Sequence, residues 1–167
     1  MDLFAGAGGA SEGIRQALGR TTVDVAIDTD PVALAIHEAN HPRTRHLRAS
    51  VRDLDPRTVA HGRQVDLLWA SPPCTPFSCA RGDKPADADV ASLPWEVVRW
   101  AAALRPRVVM VENVPQFELW GHFSEFCANL RALGYVVTTI SKAAQIAAIG
   151  NSVCPAVAKA LVEATNL

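Results

Sequence analysis

A single cysteine, Cys74, stands among three prolines in the stretch SPPCTPFS, residues 71–78. A cysteine thiolate is a strong nucleophile, so a thiol held in a rigid loop is a candidate for covalent catalysis. The stretch follows the apolar run VDLLWA, and proline ends a strand because it fixes φ and lacks an N–H donor. Cys74 is therefore predicted at the mouth of a strand, either as a nucleophile or as a packing residue in a tight turn.

A glutamate, Glu112, follows a second apolar run, VVMV, and is followed by Asn113. Burial at a strand end raises the pKa of a carboxyl group, which then donates a proton near neutral pH. The alternative reading is a helix cap or an ion pair. A thiol and an acid on adjacent strand ends, beside a nucleoside site, favour a catalytic role more strongly than either residue does alone.

A glycine-rich stretch, AGAGGA at residues 5–10, lets a ligand approach the backbone closely. The predicted helix behind it presents an N-terminus, which favours polar or negative ligand groups. Asp28 follows Gly9 by 19 residues, near the spacing at which an acidic residue binds ribose hydroxyls. Loop and acid together favour a nucleoside cofactor over a tight turn beside a solvated aspartate.

Alternating apolar strands and amphipathic helices position these residues. Strands are predicted over residues 1–4, 23–27, 46–49, 65–70, 107–111 and 135–140. Helices are predicted over 11–18, 31–39, 93–104 and 119–133, with a last helix from near 155, and Ser11 and Ser92 as caps. Residues 80–91 are predicted as a loop. This alternation indicates βαβ units in a mostly parallel sheet, in which ligands bind beyond the carboxyl ends of the strands.

Composition limits the class of protein. The 167 residues indicate one domain, and 49% hydrophobic with 20% charged residues indicates a globular one. A net charge of −1 disfavours a uniformly basic nucleic-acid binder, although arginines crowd residues 43–63. The four cysteines and five histidines show no metal spacing and no convergent set, so no metal is predicted. Without a signal peptide or a long apolar run, we expect a cytoplasmic protein with no membrane contact.

Four motifs together resemble those of the DNA cytosine-5 methyltransferases, which use S-adenosylmethionine. DLFAGAGG (2–9) resembles the cofactor loop and SPPCTPFS the proline–cysteine nucleophile motif. VENV (111–114) resembles the Glu-Asn-Val motif, and IGNSVCP (149–155) the C-terminal motif that returns to the cofactor. The resemblance implies an α/β, Rossmann-like class I methyltransferase fold with helices on both faces of the sheet, truncated at its last strand.

The resemblance also implies a role for each matching residue. Cys74 would attack C6 of cytosine, Glu112 would protonate or hydrogen-bond N3, and Pro73 and Asn113 complete the catalytic set. The implied cofactor residues are Phe4, Ala5, Gly6, Gly8, Gly9, Asp28, Ser50, Val51, Leu93, Asn151, Ser152 and Val153. Phe4 would stack on the adenine and Asp28 would hold the ribose hydroxyls. Ser50 and Val51 stand where the family has an Asp-Ile pair, so the aspartate contact is missing.

A large part of the family pattern is missing near the C-terminus. Only eight residues separate GYVVTTI (134–140) from IGNSV (149–153). The family carries there a Gln-x-Arg-x-Arg motif, a seventh strand and the target-recognition domain that reads bases in the major groove. We therefore expect a single catalytic domain over residues 1–167, weak DNA binding, and recognition supplied in trans. Residues 135–140 are then expected to pair with 107–111 through a right-handed crossover.

Three functions stay open from the sequence. The first is a compact enzyme that makes 5-methylcytosine in DNA. The second is a cofactor-binding remnant, inactive on DNA, that serves as a binding module or as a subunit of a split methyltransferase. The third is the same chemistry on tRNA or on a free nucleotide.

Overall fold

Five parallel strands form the sheet of this protein in a computed structural model that describes residues 1–19, 23–77, 87–139 and 155–165. The strands are β1 Asp2–Leu3, β2 Val25–Asp28, β3 Arg45–Arg48, β4 Leu67–Ala70 and β5 Val108–Val111. Their spatial order is β3-β2-β1-β4-β5, with all four pairings parallel. The direction of winding reverses between β1 and β4, which opens a crevice at their carboxyl ends.

Helices cover both faces of this sheet, which confirms the predicted α/β layering. They are α1 Gly9–Leu18, α2 Pro31–Asn40, α3 Pro56–Ala60, α4 Ala88–Ala91, α5 Pro94–Leu104, α6 Phe123–Ala132, α7 Pro155–Glu163 and a 3-10 helix at Pro115–Leu119. Among the residues described, none of these helices combines the length and the apolar character that crossing a membrane requires.

Strand β4 is buried on both faces and joins the two halves of the core. Leu68 and Ala70 pack with residues of α5 and α6, among them Trp100 and Phe126. Trp69 faces the opposite layer, where the cluster includes residues of α1 and α7 such as Ile14 and Val162. Period-two alternation within an entirely apolar run is what a central parallel strand requires.

Shortening a core side chain of β4 should destabilise the whole domain. Leu68 is 0% exposed, so Leu68→Ala is expected to lower the free energy of unfolding by about 2–5 kcal/mol through lost contacts and a residual cavity. Val136 is 90% exposed, and Val136→Ala should change it by no more than about 0.5 kcal/mol. Urea denaturation of both variants checks this; equal losses would contradict the burial pattern.

Two predicted helix caps are wrong. Helix α1 begins at Gly9, two residues earlier than predicted, and its N-cap is Gly8 with φ 98°. Ser11 lies inside the helix, where its buried hydroxyl donates to Asp2 Oδ2 at 2.7 Å. Ser92 ends α4 instead of starting α5, and its hydroxyl donates to the Asp89 carbonyl at 2.8 Å. Each serine hydroxyl donates to another acceptor, Asp2 or the Asp89 carbonyl, and this bond competes with a capping role.

Two helices were not predicted, and a third begins later than predicted. Helix α4 lies in the stretch predicted as a loop, and Asp87 caps it by accepting from the amides of Asp89 and Val90. Helix α3 was not predicted, although Asp55 caps it and Pro56 opens it. The predicted helix 119–133 is shorter, because the chain first turns through the 3-10 helix and α6 begins only at Phe123.

The predicted strand 135–140 is wrong over its described part, residues 135–139, which pair with no strand. Side chains hold the segment near the edge strand: Tyr135 donates to the Pro106 carbonyl at 2.7 Å, and Val137 packs on the core. The exposed Val136 between them preserves the alternation of a strand. The β-branched run therefore lacks the backbone pairing that the prediction assumed.

Candidate active site

A cleft of about 200 Å³ opens at the carboxyl end of the sheet, where the winding reverses. Six predicted site residues line it together: Phe4, Asp28, Ser50, Val51, Pro73 and Leu93. The ends of β1, β2, β3 and β4 and the residue before α5 bring them there. The cleft thus joins the predicted cofactor residues to the loop that carries the predicted nucleophile.

The glycine loop connects β1 to α1 and follows Phe4, which lines the cleft. The Ala5 amide continues the sheet by donating to the Ile27 carbonyl at 3.0 Å, and the Gly8 amide donates to the Ala5 carbonyl at 3.1 Å. Gly6 has φ 52° and Gly8 φ 98°, values that L side chains rarely adopt. Gly9 is the first residue of α1, so the loop ends at the amino end of that helix.

Gly8 and Gly6 differ in the space around them, which predicts different costs of adding a methyl group. A Cβ on Gly8 would lie 3.1 Å from the Cδ2 atoms of His37 and His41, both buried, whereas a Cβ on Gly6 meets nothing within 4 Å. Gly6→Ala should cost about 1–2 kcal/mol of backbone strain, and Gly8→Ala clearly more. Denaturation midpoints measure both; a smaller loss for Gly8→Ala would contradict the packing.

Asp28 is held in place by the backbone at the end of β2. Its Oδ2 accepts from the Gly6 amide at 2.8 Å, and its Oδ1 accepts from the Asp30 amide at 2.8 Å. A carboxylate offers about four acceptor positions, so each oxygen retains one for a ligand. A pair of adjacent hydroxyl donors, as on a ribose, fits these two remaining positions.

Hydrogen bonds fix the loop that carries Cys74 on both sides of the thiol. The Ser71 amide donates to the Leu3 carbonyl at 3.2 Å, and Pro72 is buried. The Asn113 side-chain amide donates to the Pro72 carbonyl at 2.8 Å, which links the loop to the end of β5. The Phe77 amide closes a turn on the Cys74 carbonyl at 2.9 Å, and Cys74 itself is exposed.

An aromatic cluster anchors the far end of the same loop. The Phe77 ring meets Phe117 edge-on at 5.0 Å and lies 5.6 Å from Trp120. Phe117 and Trp120 stack at 5.5 Å, and Phe126 reaches the cluster from α6. Phe117 and Phe126 are buried, so these rings act as core that holds the loop.

Glu112 lies next to the Cys74 loop on the neighbouring strand end. Its amide donates to the Ala70 carbonyl at 2.9 Å, which extends the β4–β5 ladder by one residue. Burial raises the pKa of the half-buried carboxyl group, and a hydrogen bond from the Ser71 hydroxyl opposes that rise. The carboxyl group therefore keeps its proton to a higher pH than an exposed glutamate does.

A buried polar chain beneath the glycine loop was not expected from the sequence. His46 Nε2 contacts His37 Nδ1 at 2.8 Å, His37 Nε2 contacts Ser11 Oγ at 3.0 Å, and Ser11 donates to Asp2. Burial lowers the pKa of His37 to about 4 and raises that of Asp2 to about 6. A neutral His37 that donates to Ser11 and accepts from His46 satisfies every contact.

The prediction that the histidines form no convergent set is wrong, since the rings of His41 and His46 both lie against His37. Spacing alone did not reveal this, because α2 and β3 converge only in the folded chain. Within the described ranges, no three His, Cys, Asp or Glu side chains are arranged to hold a metal ion. The cluster supports the start of α1 below the cleft.

Part of the predicted site lies outside the described residues. Asn151, Ser152 and Val153 lie outside them, as do Cys79 and Cys154. Ser50 and Val51 reach the cleft as predicted, and the Val51 carbonyl accepts from Arg99 at 2.5 Å and from the Trp100 indole at 3.2 Å. Ser71, which received no role from the sequence, also lines the cleft.

Comparison with known proteins gives one family match. The model of the C-5 cytosine-specific DNA methylase family matches residues 1–146. The type II methyltransferase M.AgeI of Thalassovita gelatinovora is 32% identical over 150 residues, which cover 84% of this chain and 34% of that protein. M.XorII of Xanthomonas oryzae is 33% identical over 147 residues, covering 83% and 34%. The chain thus spans about a third of the length of these curated relatives.

A solved structure resembles the fold as well. It is a crystal structure of an E. coli protein described as a DNA modification methyltransferase encoded within a prophage. The TM-score is 0.65 at 28% sequence identity, and the match covers 79% of this chain and 36% of that one. The parallel sheet and its flanking helices are therefore shared with a solved protein.

Proposed function

This chain belongs to the C-5 cytosine-specific DNA methylase family, and on that premise we propose that it transfers a methyl group from S-adenosylmethionine to C5 of cytosine in DNA. One observation carries the proposal. A single cleft joins Asp28 and Phe4, the residue before the glycine loop, to Pro73, which precedes Cys74. The reaction requires a nucleoside cofactor beside a nucleophile, and this arrangement supports both.

The cleft offers a fitting contact for each part of the cofactor. S-adenosylmethionine would supply an electrophilic methyl group when bound. The two free acceptor positions of Asp28 suit the ribose hydroxyls, since its other two are used by the Gly6 and Asp30 amides. Phe4 and Leu93 line the same cleft and offer apolar surface to the adenine.

Cys74 and Glu112 would divide the activation of the base. A cytosine flipped out of the duplex meets the exposed thiol, whose thiolate forms a bond to C6 while the Glu112 carboxyl donates its proton to N3. This addition makes C5 nucleophilic, and C5 takes the methyl group. Loss of the C5 proton to water and departure of Cys74 then restore the aromatic ring, while N3 returns its proton to Glu112.

The proposal includes weak binding of this chain alone to DNA, which another polypeptide would strengthen without entering the chemistry. Two arginines from the region that the sequence marked as a candidate basic patch bond to backbone carbonyls. Arg45 donates to the Val59 carbonyl, and Arg52 donates to the Asp89 carbonyl at 2.5 Å. With 16 Lys and Arg against 17 Asp and Glu, the chain has no excess of cations for phosphate contacts, which dominate affinity for DNA.

Removing one charge at Asp28 should weaken cofactor binding. Asp28→Asn is expected to reduce the affinity for S-adenosylhomocysteine by about 10- to 100-fold, because hydrogen bonds to a charged acceptor are lost or weakened. Asp24→Asn is the matched control, since Asp24 is exposed at the opposite end of β2. Isothermal calorimetry measures both affinities; an unchanged affinity in Asp28→Asn would remove the cofactor assignment.

The substrate is tested with a radiolabelled methyl group on S-adenosylmethionine. Duplex DNA, tRNA and free cytidine nucleotides are offered separately, and incorporation into each is counted. Transfer to duplex DNA supports the proposal. Transfer only to tRNA or nucleotides would assign the same chemistry to another substrate, and cofactor binding without any transfer would identify an inactive binding module.

A further inference from the structure

We propose that Ser71 is a positioning residue that holds the Glu112 carboxyl group for its work on the cytosine ring, with Trp69 holding Ser71 in turn. The inference rests on the proposed function, in which Glu112 acts on N3. Three observations carry it: a directed hydrogen bond from Trp69, the register of β4 and β5, and the place of Ser71 in the cleft wall.

The hydrogen bond from Trp69 determines what the serine hydroxyl does. Trp69 Nε1 lies 2.9 Å from Ser71 Oγ, and an indole nitrogen is a donor only. Ser71 Oγ must therefore accept this bond, which leaves its single hydrogen to be donated elsewhere. Trp69 is 0% exposed between α1 and α7, so the donor that orients the hydroxyl is immobile.

The register of the sheet places Glu112 where that hydrogen is needed. Trp69 pairs with Met110 and Ala70 with Val111, and the Glu112 amide bonds the Ala70 carbonyl. Ser71 and Glu112 are therefore the next residues on neighbouring parallel strands, and their side chains leave the sheet on one face. Because Ser71 Oγ accepts from Trp69, its hydrogen is free to be donated to the adjacent Glu112 carboxylate, and this contact lowers the pKa of Glu112.

This contact restrains the carboxyl group in two ways. It fixes the orientation of one oxygen beside the Cys74 loop, and it favours the charged form that burial disfavours. Of the ionisable groups described at this edge of the sheet, Asp28 ends β2 and Cys74 follows β4, and neither is among the causes that shift the Glu112 pKa. Burial and the Ser71 hydroxyl set the direction of the Glu112 pKa, so removing the hydroxyl should raise it further.

The test is a carbon NMR titration of protein labelled at the glutamate carboxyl carbons, with the Glu112 signal assigned by its loss in Glu112→Gln. Ser71→Ala is expected to move the Glu112 midpoint to higher pH, Ser71→Thr to restore it, and Trp69→Phe to move it upward by a smaller amount. Circular dichroism and a thermal unfolding scan confirm that each variant retains its fold.

An unchanged midpoint in Ser71→Ala, or a shift that Ser71→Thr fails to restore, overturns the inference. The titration needs no methyl transfer, so it separates this inference from the proposed function. A protein whose Glu112 responds to Ser71 but which methylates none of the offered substrates contradicts the proposed function alone.

Discussion

Cys74→Ala is expected to lower methyl transfer to duplex DNA by on the order of 10³-fold or more, because the bond to C6 cannot form without the thiolate. Cys127, the other cysteine among the described residues, is buried in α6 and cannot replace it. Cys74 follows Pro73 but does not line the cleft itself, so affinity for S-adenosylhomocysteine should stay unchanged. Scintillation counting of labelled DNA measures the loss.

The matched control for this variant is Cys127→Ala, which removes a thiol of the same chain without touching the cleft. It should transfer methyl groups at the wild-type rate, with some loss of stability because Cys127 belongs to the core. Transfer by Cys74→Ala at more than a tenth of the wild-type rate would show that another group is the nucleophile.

Glu112→Gln is expected to lower methyl transfer by about 10²- to 10⁴-fold, the usual contribution of a positioned general acid. Burial raises the pKa of Glu112, so the wild-type carboxyl group holds its proton at lower pH and loses it as the pH rises through the folded-state pKa. The wild-type rate should fall over that interval. The glutamine variant, which has no such proton to lose, should lack that limb in a rate-against-pH series.

The same ionisation should appear in stability, which gives an independent check. A carboxyl group with a raised folded pKa contributes stability that is fully present below its unfolded pKa and is lost as the pH rises through its folded pKa. Asp2 contributes with the same sign in both proteins, so the informative quantity is the difference between wild type and Glu112→Gln. A difference that does not change with pH would contradict a buried, titrating Glu112.

The sheet could be predicted from sequence because its central strands are buried on both faces. Residues 65–70 read as one apolar run, and the structure places Leu67–Ala70 at the centre of the core. The ends of those strands could then be identified from where polar residues begin. Locating the strand ends from the sequence alone places Asp28, Pro73 and Glu112 at one edge of the sheet.

Residues 135–139 show where such reasoning fails. Their β-branched composition describes the local preference of the chain, but pairing depends on what lies beside the edge strand. The predicted cap at Ser11 is wrong for a related reason, because its hydrogen-bond partner Asp2 lies on β1 and not in the adjoining turn. The contacts of Ser71 and of His37 also depend on register and helix packing, which sequence spacing does not contain.

Covalent addition of Cys74 to a cytosine is the central step of the proposed reaction, and trapping tests that step most directly. The protein is incubated with S-adenosylmethionine and duplex DNA containing 5-fluorocytosine, which cannot lose its C5 substituent after methylation. We predict a denaturation-resistant complex in which mass spectrometry places the DNA on the peptide that contains Cys74, and no complex with Cys74→Ala. A protein that binds S-adenosylhomocysteine yet forms no such complex, or one that forms it through another residue, would contradict the account.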